Sequence, residues 1–179
     1  MLQTQSIVPE RFEDDEKLVR IIFSPFHINK KDATKITHTA FRPPPDLDEV
    51  SVNRLNFTTA TFCKQQGKAM NTVTKTFYGL ASIRHSIVLQ EGAFARISPK
   101  TDNPFHADIY YGVVLQRGEP IPAEMSLILK RLAASAHFYP DVNKKSEVWE
   151  DGDITQCRFV AINRFIIFFF PKMSITFIV

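Results

Sequence analysis

Residues 122–138 carry the clearest helical periodicity of the chain, and this single helix limits the folds that the rest can adopt. Pro122 occupies a tolerated first-turn position, and Glu124 lies near the positive end of the helix dipole. Pro140 ends the helix. Apolar side chains repeat at the spacing of one helix face, namely Met125, Ile128, Leu129, Leu132, Ala133 and Ala136. A helix with one apolar stripe must pack against another layer.

Short strands predicted along the rest of the chain supply that layer. A weaker helix is predicted over residues 60–70, where Thr58 or Thr59 caps the start and Gly67 weakens the end. The segments with β-branched runs or a period of two are 18–23, 51–55, 77–83, 93–97 and 107–113. The sequence therefore predicts an α+β fold, in which a small mixed or antiparallel sheet carries the 122–138 helix.

The domain organisation follows from composition. Residues 1–17 form an acidic lead-in that we expect to be mobile or loosely docked, and residues 18–150 form a single domain. Residues 151–179 are rich in Phe and Ile, but Pro171 and Lys172 leave the apolar run far short of the roughly 20 residues that a spanning helix needs. This tail is either a pair of edge strands around the proline or a non-native end produced by a shifted reading frame.

The net charge of +3 does not predict a nucleic-acid partner. The segment from Ile154 to Val179 holds three of the 22 basic residues and none of the 19 acidic ones, which leaves 19 of each sign in residues 1–153. The body of the chain is neutral, and the location of charge matters more than its sum. Two distant cysteines and the lack of a basic, apolar leader favour the cytoplasm.

Motifs that would identify an enzyme class or a cofactor are missing from the sequence. It has no GxSxG, GxxxxGK[ST] or HExxH motif and no glycine-rich dinucleotide turn. Its five histidines form no HxH, HxxxH or HxxE pair, so neither a metal nor a cofactor is predicted. The remaining candidates are individual polar residues at strand ends.

His106 and Asp108 are the candidate catalytic residues. A proline-fixed loop, Asn103-Pro104-Phe105, brings His106 to the start of a strand, and Asp108 follows two residues later on the same face. A histidine at a strand end can act as a general acid or base near neutral pH. The simpler alternative is a histidine that only satisfies loop carbonyls.

Arg20, His38, Arg42 and Arg54 are the candidate anion-binding residues. Arg20 lies within an otherwise apolar strand, and a buried unpaired charge is costly. It either pairs with a nearby acid, for which Asp46, Asp48 and Glu49 are available, or faces a cleft and binds an anionic ligand.

Three segments, LVRIIFSP, AFRPPPDLDEVSVNR and NPFHADI, resemble a group of small bacterial proteins with AFxPP, SVxR and NPxHA segments. The resemblance covers about Leu18 to Ile109, and the tail after Trp149 has no counterpart in it. It implies no activity.

Two functions follow from these features. The first is a non-catalytic interaction or accessory protein that docks a protein partner through the helix or an edge strand. The alternative is a small enzyme or binder acting on a nucleotide or an RNA end, with the arginines holding phosphate and His106 acting as acid or base. An ADP-ribosyl-transferring fold is one version of it, by fold analogy alone. The sequence sets no oligomeric state.

Overall fold

The computed structural model describes residues 9–150 and residue 154, and within them the α+β prediction is confirmed. Six strands form one antiparallel sheet in the order β6-β7-β4-β1-β5-β8. Two further strands, β2 and β3, form a separate hairpin. The strands are β1 (Lys17–Ser24), β2 (Ile28–Asn29), β3 (Asp32–Ile36), β4 (Glu49–Arg54), β5 (Thr76–Arg84), β6 (Phe94–Ile97), β7 (His106–Tyr110) and β8 (His137–Pro140). The helices are α1 (Ala60–Ala69), α2 (His85–Gln90) and α3 (Ala123–Ser135), with a 3-10 turn over His38–Phe41.

The main helix is shorter than the sequence predicts. It begins after Pro122, which is its N-cap, and it ends at Ser135. His137–Pro140 leave the helix and pair with β5 as the edge strand β8. The predicted end at residue 138 is therefore wrong. Helical periodicity alone extends the helix to this residue, but residues 137 and 138 form sheet hydrogen bonds with β5 instead.

Each face of the sheet has its own apolar core. One core lies under α3 and holds Met125, Leu129 and Leu132 of the helix stripe against Leu18, Ile22 and other buried residues of the sheet. The other core lies under α1 and holds Val19, Ile21 and Phe23 of the same strand. The alternation of β1 thus divides its apolar residues between two layers, as the period of two requires.

Helix α1 approaches the sheet closely at Gly67. A Cβ at this position would overlap the ring of Phe77 and would lie 2.9 Å from Cγ2 of Ile21. Thr59 caps the helix, since its side chain accepts a hydrogen bond from the backbone N–H of Phe62. The glycine that weakens the helical propensity is therefore the residue that allows the helix to reach the core.

Strands β1 and β4 separate soon after they meet. They pair at Leu18 with Arg54 and at Val19 with Asn53. Beyond this point β1 continues along β5, whereas β4 continues along β7. The divergence opens a gap in the middle of the sheet, and Arg20 is the first residue of β1 to face it.

Buried ion pairs tie two further segments to the domain, one to the sheet and one to α1. Glu16, at the end of the acidic lead-in, is fully buried against Arg54 of β4. Lys64 of α1 is fully buried and donates to Asp141 Oδ1 at 2.7 Å and to the carbonyls of Asn143 and Val148. The described part of the lead-in and the segment after β8 are thus packed parts of the domain. The Phe and Ile-rich tail lies outside the described residues, apart from the buried Ile154.

Candidate functional site

A pocket of about 470 Å³ lies over the gap between β1 and β4. Its floor is made by these two strands and by the start of β7, and its walls are the end of α1, the turn before β5 and the loop between β6 and β7. The charged residues that line it are Arg20, Lys75, Lys100 and Asp102. Three cations therefore face one carboxylate in a cleft of the size that small-molecule sites commonly have.

Arg20 bridges the gap with its side chain. Its Nε donates to the carbonyl oxygen of Ala40 at 2.8 Å, and its Nη1 donates to the carbonyl oxygen of Ser51 at 2.8 Å. The bond to Ser51 joins β1 to β4 where the two backbones no longer pair, and the bond to Ala40 joins β1 to the 3-10 turn. Neither carbonyl neutralises the guanidinium, and no carboxylate among the described residues lies within ion-pair distance of it.

The charge of Arg20 persists at neutral pH. Burial lowers the pKa of Arg20 to about 10, and Asp108 and Tyr111 act in the opposite direction. An arginine fixed by two carbonyls still has N–H donors for a further acceptor, because the guanidinium carries five. Of the two alternatives drawn from the sequence, pairing with Asp46, Asp48 or Glu49 does not occur, and the half-buried side chain lines the pocket.

His27 lines the pocket beside Arg20. Its Nδ1 accepts a hydrogen bond from the backbone N–H of Phe23 at 3.2 Å, so the ring proton is on Nε2. Burial, followed by the positive charges of Arg20 and Lys75, lowers the pKa of His27 to about 3. Lys75 Nζ lies 4.4 Å from the centroid of the Phe23 ring. The centroid of the His27 ring lies 5.8 Å from the same Phe23 centroid. Phe23 thus supports both groups at one end of the pocket.

Three side-chain amides form another wall. Asn103 donates to Asn53 Oδ1, and the Nδ2 groups of both residues approach Gln66 Oε1, at 3.3 Å from Asn53 and 3.5 Å from Asn103. Asn53 and Asn103 are buried, and Gln66 is half-buried. Because its oxygen faces the other two amides, Gln66 presents its N–H₂ group away from them, which adds neutral donors to the pocket.

The structure brings His106 and Asp108 together through Ser98. His106 Nδ1 lies 2.9 Å from both the carbonyl oxygen and Oγ of Ser98, and Ser98 Oγ donates to Asp108 Oδ2. His106 Nε2 lies 3.7 Å from Asp108 Oδ1 and is buried with no hydrogen-bond partner among the described residues. Burial lowers the pKa of His106, which favours the neutral ring, while Asp108 opposes this. His106 lines the pocket, but its Nε2 is shielded from solvent.

The other three candidate anion ligands lie apart from this pocket. Arg54 is fully buried, and its donors reach both oxygens of Glu16 and the carbonyls of Pro9 and Arg11. Its guanidinium is occupied within the protein, so it holds the lead-in on β4. Arg42 is exposed at the end of the 3-10 turn. His38 lines a second, more open cavity of about 660 Å³ between the β2–β3 hairpin and the end of α3.

Sequence reasoning missed several residues of the pocket. His27 and Lys75 lie in turns, and Gln66 lies on a helix with a thin apolar stripe, so no periodicity singles them out. The only local signal is His27 itself, a histidine shortly after a strand that contains an arginine. Their convergence depends on β1, α1 and the turn before β5 meeting in space.

The fold and the pocket together define the class: an α+β protein with a cationic, donor-rich cleft in a split sheet. Comparisons with models of known families, with curated proteins and with solved structures found no match. Within residues 9–150 and at residue 154, no group of three or more His, Cys, Asp or Glu side chains is placed to hold a metal ion. None of the helices in that same part of the chain has the length and apolar character needed to cross a membrane.

Proposed function

We propose that this protein binds a small organic anion, of the phosphate ester class, in the pocket between β1 and β4. The observation that carries the proposal is Arg20, a cation fixed by two backbone carbonyls and facing a cleft without an ion-pair partner among the described residues. Desolvating a charge costs free energy that an opposite charge recovers. An anionic ligand is the partner that this arrangement lacks.

The remaining charges of the pocket support the same ligand class. Lys75 and Lys100 add two cations, and Asp102 is the one acid on the lining. The neutral donors of His27 and Gln66 suit an anion with several acceptor oxygens, because neither adds a competing charge. A positive cleft with low-dielectric walls also concentrates anions and speeds their association.

The apolar lining favours a ligand larger than an inorganic ion. Ile21, Phe23, Val52, Ala69 and Met70 line the pocket beside the polar groups. A volume of about 470 Å³ leaves room for an organic body next to the anionic group. Such a ligand would place its phosphate at the cations and its body against the apolar side chains, as a mononucleotide can.

Binding is better supported than catalysis. A general base must reach the proton it removes, either directly or through one water. His106 Nε2 is buried and directed towards Asp108, so the free protein does not offer this nitrogen to a ligand. The non-catalytic interaction function stays a prediction, and the edge strands β6 and β8 are where a partner strand could add to the sheet.

A titration with inorganic sulfate, inorganic phosphate and adenosine monophosphate tests the proposal. Backbone NMR shifts should change around the pocket, and the mononucleotide should bind more tightly than either inorganic ion. Lys100→Gln removes an exposed cation of the pocket and should weaken binding several-fold. Lys130→Gln is the matched control, because it removes an exposed cation that lines the second cavity instead. Equal effects of the two variants, or shifts clustered around His38, would contradict the assignment.

A further inference from the structure

We infer that His27 is a second anion ligand of this pocket, an uncharged N–H donor held beside the charged donors of Arg20. This inference rests on the proposed function and identifies how the anion is recognised. It assigns a specificity-determining role to a residue in the turn after β1, where no sequence motif indicates one.

The first step is the fixed tautomer of His27. Nδ1 accepts the backbone N–H of Phe23, so this nitrogen has no proton in the observed arrangement. A neutral imidazole then carries its proton on Nε2. The backbone carbonyl of His27 accepts the N–H of Thr37, which fixes the turn from the other side. The nitrogen that can serve a ligand is therefore a donor, and its proton is fixed in place by the backbone.

The second step is the electrostatic setting of the ring. The charged groups that share the pocket with His27 are Arg20 on β1, Lys75 before β5, and Lys100 and Asp102 on the loop before β7. His106 on β7 also lines it and is itself kept neutral by burial. The charges acting most on His27 are the two cations Arg20 and Lys75, which disfavour its protonation. The ring therefore remains an uncharged donor across the physiological range.

The third step is what such a donor contributes. A neutral N–H beside a cation directs one oxygen of a tetrahedral anion without adding another desolvated charge. Hydrogen bonds to charged groups are stronger than those between neutral groups, and the loss of one weakens binding by about tenfold or more. Because His27 does not titrate between about pH 5 and 8, its contribution to affinity should be constant there.

Two conservative variants separate this role from a structural one. In His27→Asn the side-chain oxygen occupies the place of Nδ1 and can still accept from Phe23, but the donor towards the pocket is lost. In His27→Gln the side-chain N–H₂ occupies the place of Nε2 and preserves that donor, whereas the bond from Phe23 is lost. We expect His27→Asn to weaken binding of inorganic sulfate about tenfold and His27→Gln to retain most of it. A merely structural histidine would give the opposite order.

The experiment is an NMR titration with sodium sulfate, chosen because sulfate does not titrate in this range. The ratio of the sulfate affinities of the wild type and His27→Asn should stay constant between about pH 5 and 8. The imidazole nitrogen shifts should show the proton on Nε2. An affinity that rises as the pH falls, and loses this rise in His27→Asn, would show a charged ligand and overturn the inference.

The two proposals can fail separately. If sulfate shifts the Arg20 side-chain signals and Lys100→Gln weakens binding while His27→Asn does not, the pocket is an anion site and the role of His27 is wrong. If neither sulfate, phosphate nor adenosine monophosphate perturbs the pocket, both proposals are wrong.

Discussion

The substitution Glu16→Gln should destabilise the protein strongly, because it removes one charge of a fully buried ion pair. Arg54 Nε lies 2.6 Å from Glu16 Oε1, Nη2 lies 2.9 Å from Oε2, and neither side chain is exposed to solvent. Removing one partner of such a pair leaves a buried charge uncompensated, at a cost of about 3–5 kcal/mol. Domains of this size are stable by about 5–15 kcal/mol, so the loss is a large fraction of the total.

Guanidinium unfolding measures this loss. Trp149, the one tryptophan of the chain, is buried, so its fluorescence reports the global transition. The midpoint should fall with little change in the slope, which is the signature of reduced stability rather than of a changed unfolded state. The control is Glu147→Gln, which breaks the ion pair between the exposed Glu147 carboxylate and the half-buried Lys68 and should cost less than about 1 kcal/mol. If both variants lose the same free energy, the buried pair is not the strong interaction described here.

Three further changes test other parts of the structure. Gly67→Ala should destabilise the protein because the added Cβ overlaps Phe77, and this cost should exceed the gain of about 1 kcal/mol in helix propensity. Thermal unfolding measures the sign of the stability change, and a gain in stability would contradict the close packing of α1. Lys64→Met should cost about 3–5 kcal/mol by leaving Asp141 buried without its cation, and the double variant with Asp141→Leu should recover part of that loss in denaturant unfolding. The pKa of His27 falls from 6.5 to about 3 on folding, so the unfolded chain binds this proton more readily. The contribution of the neutral ring to the free energy of unfolding is therefore fully present above about pH 6.5 and is lost as the pH falls towards 3, by up to about 1.4 kcal/mol per pH unit. His27→Asn should remove this part of the pH dependence, which denaturant unfolding at a series of acidic pH values measures.

Local periodicity predicted much of the fold. The strand at 18–23 and the helix at 60–70 appear within a residue or two of their predicted bounds. The main helix ends earlier than predicted, because its helical periodicity extends through residues that pair with β5 instead. The strand predicted over 107–113 is also shorter, since β7 ends at Tyr110, and the β2–β3 hairpin was not predicted. An edge strand of four residues is too short to show a period of two in its sequence, particularly when it directly follows a helix.

The candidate site was predictable in part. His106 and Asp108 lie on one face of β7, as their spacing of two requires, but the serine that joins them comes from beyond the neighbouring strand β6. The spacing also could not indicate that His106 Nε2 would be buried. For Arg20, the sequence indicated only that a charge in an apolar strand needs a hydrogen-bond acceptor. The acceptors are backbone carbonyls, and because every residue has one, the sequence cannot show which of them Arg20 reaches.

The sequence by itself determined where β1, β4, β5, β6, β7, α1 and α3 lie, because hydrophobic periodicity and capping act over a few residues. It did not indicate β2, β3 or β8. Only the tertiary structure decided what each arginine does. Arg20 and Arg54 both lie in strands of the same sheet. Arg54 pairs with a carboxylate 38 residues away, whereas Arg20 lies at the gap between two diverging strands. Charge interactions act through space and depend on burial, so their outcome depends on which strands meet and where they part.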